Sequence, residues 1–191
     1  MTPTVRDRNS RDRERTEAAL VAAARSLVME KPYESIRVRE IAQVVGCNHG
    51  LITHHFGSKL GLFTRVLHEI GRDINESIST FATPRELLAQ PLTGTYWRLM
   101  AALLEAGLEP GSALPEGQPV VDAILHRGSE VIGRDLESDR ASAVFIVLAA
   151  GGFQVFGQAF ATTLMPSGDP EDAVNAFGRM MQLILRGLSA E

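Results

Sequence analysis

Apolar positions recur at helical spacing along most of the chain. Leu20, Ala23, Ala24, Leu27 and Val28 fall at i, i+3, i+4, i+7 and i+8, one stripe that predicts a helix from about Arg13 to Met29. Pro32 ends it, because a proline pushes the preceding residue out of the α region. Val38, Ile41, Ala42 and Val45 share one face of a short helix over 38–45, and Gly46 suits a left-handed stop. Asn48 is a good N-cap for a second short helix over about 48–55, with Leu51 or Ile52 and His55 turned inward. Phe56-Gly57 closes that helix. Ser58 caps a longer one from Lys59 to about Ser79, whose stripe is Leu62, Phe63, Val66, Leu67 and Ile70. Two short helices joined by a glycine-bearing turn form a helix-turn-helix.

Beyond residue 80, prolines at 84, 91, 110, 115, 119, 166 and 170 punctuate helical segments of roughly 84–90, 93–107, 119–134, 138–164 and 169–189. Residues 108–119 read as a loop. No sustained strand alternation and no internal repeat occurs. The expected fold class is all-α with about nine helices. Residues 1–12 are expected to form a flexible Arg-rich arm, 13–58 a helix-turn-helix domain, and 59–191 a larger helical body.

Composition refines this picture. The 191 residues are 45% hydrophobic, too apolar for a disordered chain. A lone cysteine, Cys47, excludes an intrachain disulfide and a cysteine-rich zinc module. No early apolar run marks a secretory signal, so a cytoplasmic protein is expected. The net charge of −4 argues weakly against nucleic acid, but it is unevenly spread. Residues 1–60 carry ten Lys/Arg and seven Asp/Glu; residues 61–191 carry nine and sixteen. A basic binding module on an acidic body follows. Residues 143–165 are uncharged and long enough to span a bilayer. Gln154, Gln158, Thr162, Thr163 and Gly151-Gly152 dilute them, so a helix buried in a bundle is expected instead of a membrane span.

The candidate chemistry lies in the helix-turn-helix. Its second helix would enter the major groove and show its N-terminal residues to base edges. Arg39 lies opposite Ile41 and Val45 on the first helix. Asn48, His49, Gly50, Thr53 and His54 lie on or beside the second. Arg37 and Lys59 flank the unit as phosphate ligands, and Gly50 lets the backbone approach DNA closely. Cys47, His49, His54 and His55 are capable metal ligands, but His54 and His55 are adjacent and point about 100° apart on a helix. Neither metal nor cofactor is expected. No nucleophile elbow, phosphate loop or dinucleotide fingerprint occurs, so no enzyme is expected.

Residues 13–67 resemble the N-terminal domain of the tetracycline-repressor (TetR) family of transcriptional regulators. The resemblance rests on Ala23-Ala24, Leu27-Val28, Pro32-Tyr33, Ile36-Arg37-Val38, Arg39-Glu40-Ile41-Ala42, Gly46-Cys47-Asn48, Gly50 to Phe56 and Ser58-Lys59, in that order and spacing. It covers a little under a third of the chain. It implies that Arg39 and the exposed side of 48–54 touch bases and that Lys59 touches a phosphate. The sequence departs from the family pattern in three places. Thr53 stands where the family has a tyrosine, Ile36-Arg37 where it has two threonines, and Leu60 where it has a glutamate.

The resemblance also implies a body that dimerises through its last two helices and encloses a ligand. Val144, Leu148, Gly151, Gly152 and Val155, with Phe177, Met181, Ile184 and Leu188, are the expected interface with a second copy. Tyr96, Trp97, Met100, Leu104, Ile124, His126, Phe145, Phe153 and Gln154 are the expected pocket lining. The function that follows is a dimeric repressor, released from a palindromic double-stranded DNA operator by a small apolar or aromatic effector. The alternative is an all-α small-molecule binding protein whose helix-turn-helix no longer reads DNA.

Overall fold

A computed structural model describes residues 5–78, 90–113, 126, 129–130, 145, 148–157 and 169–188. Every regular element among them is helical. Helix α1 spans Val5–Glu30, followed by a 3-10 turn at Tyr33–Ser35. Then come α2 (Val38–Val45), α3 (Gly50–Phe56), α4 (Lys59–Ile78), α5 (Pro91–Glu105), α6 (Pro110–Ala113) and α7 (Pro170–Leu188). Residues 148–157 are also helical. The predicted segment at 84–90 lies outside the described residues but for Gln90.

Two expectations are corrected. Helix α1 begins at Val5, eight residues before Arg13, so residues 5–12 continue a helix where an arm was expected. Alternating Arg and Asp/Glu tolerates helix and supports it by pairs such as Arg13–Glu17 (2.9 Å, one turn apart). The loop expected over 108–119 contains the single turn α6. Its Ser112 carbonyl accepts a hydrogen bond from His68 Nε2 at 2.9 Å.

The chain divides into two compact units. The first comprises Met1–Glu69 and Ala102–Ala113, the second Ile70–Ala101 and Leu114–Glu191. In the first, Leu20, Ala24, Leu27 and Val28 of α1 are buried, and α1 packs on α2. Ile36, Ile41, Ile52, Leu62, Phe63, Val66 and Leu67 complete that core. Tyr33 meets Phe63 edge to face, with ring centroids 5.1 Å apart. These are the stripes read from the sequence, filled by residues of the predicted period.

In the second unit, Ile70, Ile74, Tyr96, Trp97, Leu99, Met100, Ala150 and Ala173 are buried. Phe153 stacks on Phe177 at 4.3 Å, joining residues 148–157 to α7. Gly151 lies under Trp97: a Cβ there would sit 2.9 Å from the indole Cε3. Gly151 and Phe177 were expected at a subunit contact. Within the chain Gly151 is buried under Trp97 and the half-buried Phe177 stacks on Phe153, while the expected Leu148 and Ile184 are exposed. Phe145, Leu148 and Phe156 are exposed, at spacings of three and eight. On α7 the exposed apolar residues are Met180, Leu183 and Ile184. Gly152, Val155 and Met181 are half-buried, Val144 lies outside the described residues, and the side chain of Leu188 does too.

Candidate nucleic-acid interface

The α2–α3 unit is built by local chemistry. Helix α2 stops at Gly46, which adopts φ +75° and ψ 32°. Its N–H donates to the Gln43 carbonyl, and the Cys47 N–H reaches back to the Ala42 carbonyl at 3.0 Å. Paired bonds of this kind satisfy the last carbonyls of a helix, and a left-handed residue at this point favours glycine. The chain then enters α3 through Asn48, whose Oδ1 accepts the Gly50 N–H at 2.8 Å. Gly46 stops α2 as predicted; α3 begins one residue later than predicted, with His49 at its N-cap position and Asn48 satisfying the Gly50 N–H from just outside. Ser58 also caps as predicted, its Oγ accepting the Gly61 N–H at 3.0 Å.

The inward side of α3 is anchored at two points. Ile52 is fully buried. His55 is nearly so, and its Nδ1–H donates to Glu17 Oε1 on α1 at 2.9 Å. Arg13, and after it His55, hydrogen-bond the Glu17 carboxylate and hold it below the usual carboxylate range. Lys31 pairs with Glu40, joining the end of α1 to α2. That ion pair, first Lys31's hydrogen bond, also keeps the Glu40 carboxyl below its usual range.

The outward side carries the predicted DNA-facing groups. Arg37 and Arg39 on α2, and Asn48, His49, Gly50, Thr53 and His54 around α3, are all exposed. No acidic residue occurs between Ile41 and His68. The reading helix therefore presents no carboxylate of its own to a phosphate backbone, a feature that periodicity does not reveal. Gly50 has an internal reason to be glycine as well: a Cβ there would sit 3.2 Å from Asn48 Oδ1 and crowd the cap.

Lys59 is placed differently from the other cations. Its Nζ donates to the Tyr33 carbonyl at 2.7 Å and stands 3.9 Å from the Tyr33 ring centroid. Partial burial lowers its pKa below the usual lysine value. The ammonium thus pins the first turn of α4 to the 3-10 turn. Gly61, two residues on, is equally structural. A Cβ there would lie 2.1 Å from the Phe56 carbonyl oxygen, so α4 starts hard against the end of α3. Neither contact is written in local spacing, although the glycine one turn from Ser58 is a visible mark.

The predicted pocket residues separate into groups. Tyr96, Trp97 and Met100 are buried together along α5, and Phe153 and Gln154 are half-buried. Leu104 and Phe145 are exposed, and His126 is exposed with Glu130 at 3.7 Å. Being exposed, these three do not line an interior. Ile124 lies outside the described residues. Among the described residues no cluster of three or more His, Cys, Asp or Glu could hold a metal ion, and no helix is long and apolar enough to cross a membrane.

Residues 20–66 match the family model described as bacterial regulatory proteins, tetR family. Over 135 residues the chain is 29% identical to the HTH-type transcriptional repressor Rv3405c of Mycobacterium tuberculosis, covering 69% of this chain and 71% of that one. The HTH-type transcriptional regulator Mb3439c of Mycobacterium bovis aligns with the same identity and coverage. Among solved structures, the TetR family repressor AlkX of Dietzia sp. strain DQ12-45-1b shares the fold. Its TM-score is 0.50 at 16% identity, over 90% of this chain and 95% of that one. The exposed, acid-free reading helix, locked behind by Ile52 and His55, lies inside the matched segment. Residues 20–66 thus match the tetR-family domain of bacterial regulatory proteins, and over most of its length the chain is similar to helix-turn-helix transcriptional regulators.

Proposed function

We propose that this regulator is a homodimeric repressor, released from a palindromic operator by a small apolar or aromatic effector. The observation that carries the reading is the outward face of α2 and α3. Arg37, Arg39, His49, Thr53 and His54 stand exposed there on a rigidly anchored helix pair. In this reading Arg39 and α3 meet base edges, and Arg37 meets a phosphate. Lys59 contributes by holding α4 in place, with its remaining N–H groups available to a phosphate.

The exposed stripes Phe145-Leu148-Phe156 and Met180-Leu183-Ile184 support a second copy as partner. Apolar side chains at helical spacing on two neighbouring helices are costly to leave in water. Two copies would set two reading helices about one DNA turn apart, as a palindrome requires. The bacterial cytoplasm, where such DNA lies, is the expected compartment. No catalytic role is proposed.

Substitution tests the assignments. Arg39→Ala relaxes sequence choice at one base position, a loss of about 1–3 kcal/mol of discrimination. Arg37→Ala weakens all sequences alike and flattens the salt dependence by about one unit per head. Competition binding against single-base operator variants at several salt concentrations separates the two. The reverse pattern rejects the roles given to Arg37 and Arg39.

A further inference from the structure

Helix α5 carries an anomaly in its first turns. Thr93 is fully buried and Trp97 is 8% exposed, yet Thr93 Oγ1 and Trp97 Nε1 have no hydrogen-bond partner among the described residues. Buried polar groups are nearly always paired, and an unmet one is a standing cost. The two residues are four apart, so they share one face of α5. Trp97 is also fixed in place. Its Cε3 and Cζ3 lie against Gly151, so Nε1, on the other ring of the indole, is held in one direction. Tyr96 meets the indole edge to face at 5.5 Å.

We propose that Thr93 and Trp97 form the polar anchor of the effector site, and that the effector is a neutral, mainly apolar molecule with a carbonyl oxygen. This rests on the reading of α5 as pocket lining given above. The chemistry narrows the class. Trp Nε1 can only donate, and a threonine hydroxyl can donate as well, so the two together suit one acceptor oxygen. Tyr96 and Met100 are buried on the same helix beside the indole, apolar surroundings that favour a hydrocarbon body. A carboxylate is disfavoured. Burial pushes the neighbouring Tyr96 hydroxyl up to about 12, and an anionic ligand in the same buried surroundings would meet a desolvation penalty of the same origin.

Trp97 is the chain's one tryptophan, so its fluorescence reports on this site alone. Acetylcyclohexane, ethylcyclohexane and cyclohexanecarboxylate are titrated against the full chain, with tryptophan excited at the red edge of its band and the ketone's weak n→π* absorption corrected against free tryptophan. The ketone shifts Trp97 emission to the red and binds about tenfold or more tighter than the other two. Thr93→Val, which keeps the shape and removes the hydroxyl, weakens the ketone about fivefold and leaves ethylcyclohexane unchanged. A thermal melt confirms that the variant is folded. Equal affinity for ketone and hydrocarbon, or equal losses for both in Thr93→Val, overturns the anchor but leaves the apolar pocket standing. No response of Trp97 to any of the three up to millimolar concentration overturns the anchor and the pocket together.

Discussion

A single ammonium group holds the start of α4 to the turn that precedes α2. Lys59 bonds the Tyr33 carbonyl and lies over its ring, so Lys59→Met loses a charge-assisted hydrogen bond and a cation–π contact. A loss of about 1–2 kcal/mol of stability is expected in denaturant unfolding of the full chain. An unchanged midpoint would return Lys59 to a pure phosphate role. Glu17 does comparable work from α1, where it accepts from Arg13 and from the nearly buried His55. Its folded pKa is lowered, so the folded state binds the proton less readily than the unfolded one. The stability it contributes is present above about pH 4.5, the unfolded value, and is lost as pH falls through the folded value. Melting temperatures from pH 6 to pH 3 therefore fall less steeply in Glu17→Gln than in the native chain. Parallel curves would contradict the assignment.

The short helices owe their junctions to glycines. Gly61→Ala places a methyl group 2.1 Å from the Phe56 carbonyl oxygen, so α3 or α4 must move. A loss of about 1–3 kcal/mol is expected, with weaker DNA binding because the reading helix is displaced. Gly151→Ala meets the Trp97 ring in the same way and shifts its emission. Native emission in that variant would show that the indole is not seated there. These contacts also mark what the sequence could reveal. Helix α2, the turn and α3 were legible because their signals are local: an apolar period, Gly46 as a stop, Asn48 just before α3, and Ser58 as a cap. The early start of α1 was not, since alternating Arg and Asp/Glu has no apolar stripe to declare a helix. The pairs Lys59–Tyr33, Glu17–His55 and Trp97–Gly151 are also silent in sequence, because each joins residues 26 to 54 positions apart. The outward face of α2 and α3 was legible as exposed for the complementary reason that it needs no partner within the chain.

Charge is segregated along the sequence, and the segregation suits the proposed work. The net charge of −4 combines a cationic first 60 residues with an anionic remainder, so two copies would present paired basic heads to DNA. Such binding loses affinity steeply with salt, by about 0.9 log units per log unit of salt for each phosphate contact. The exposed Leu183 on α7 belongs to the stripe proposed as a subunit contact. Leu183→Glu is expected to convert a dimer to a folded monomer in sedimentation velocity, with loss of operator binding. A dimer of native stability would move the interface elsewhere. The most direct test of the proposed regulator is footprinting of the full-length protein on the DNA upstream of its own coding region. Protection of a palindrome, with half-sites about one helical turn apart and binding that weakens steeply as salt rises, is the expected result. No protected palindrome at low salt would contradict it.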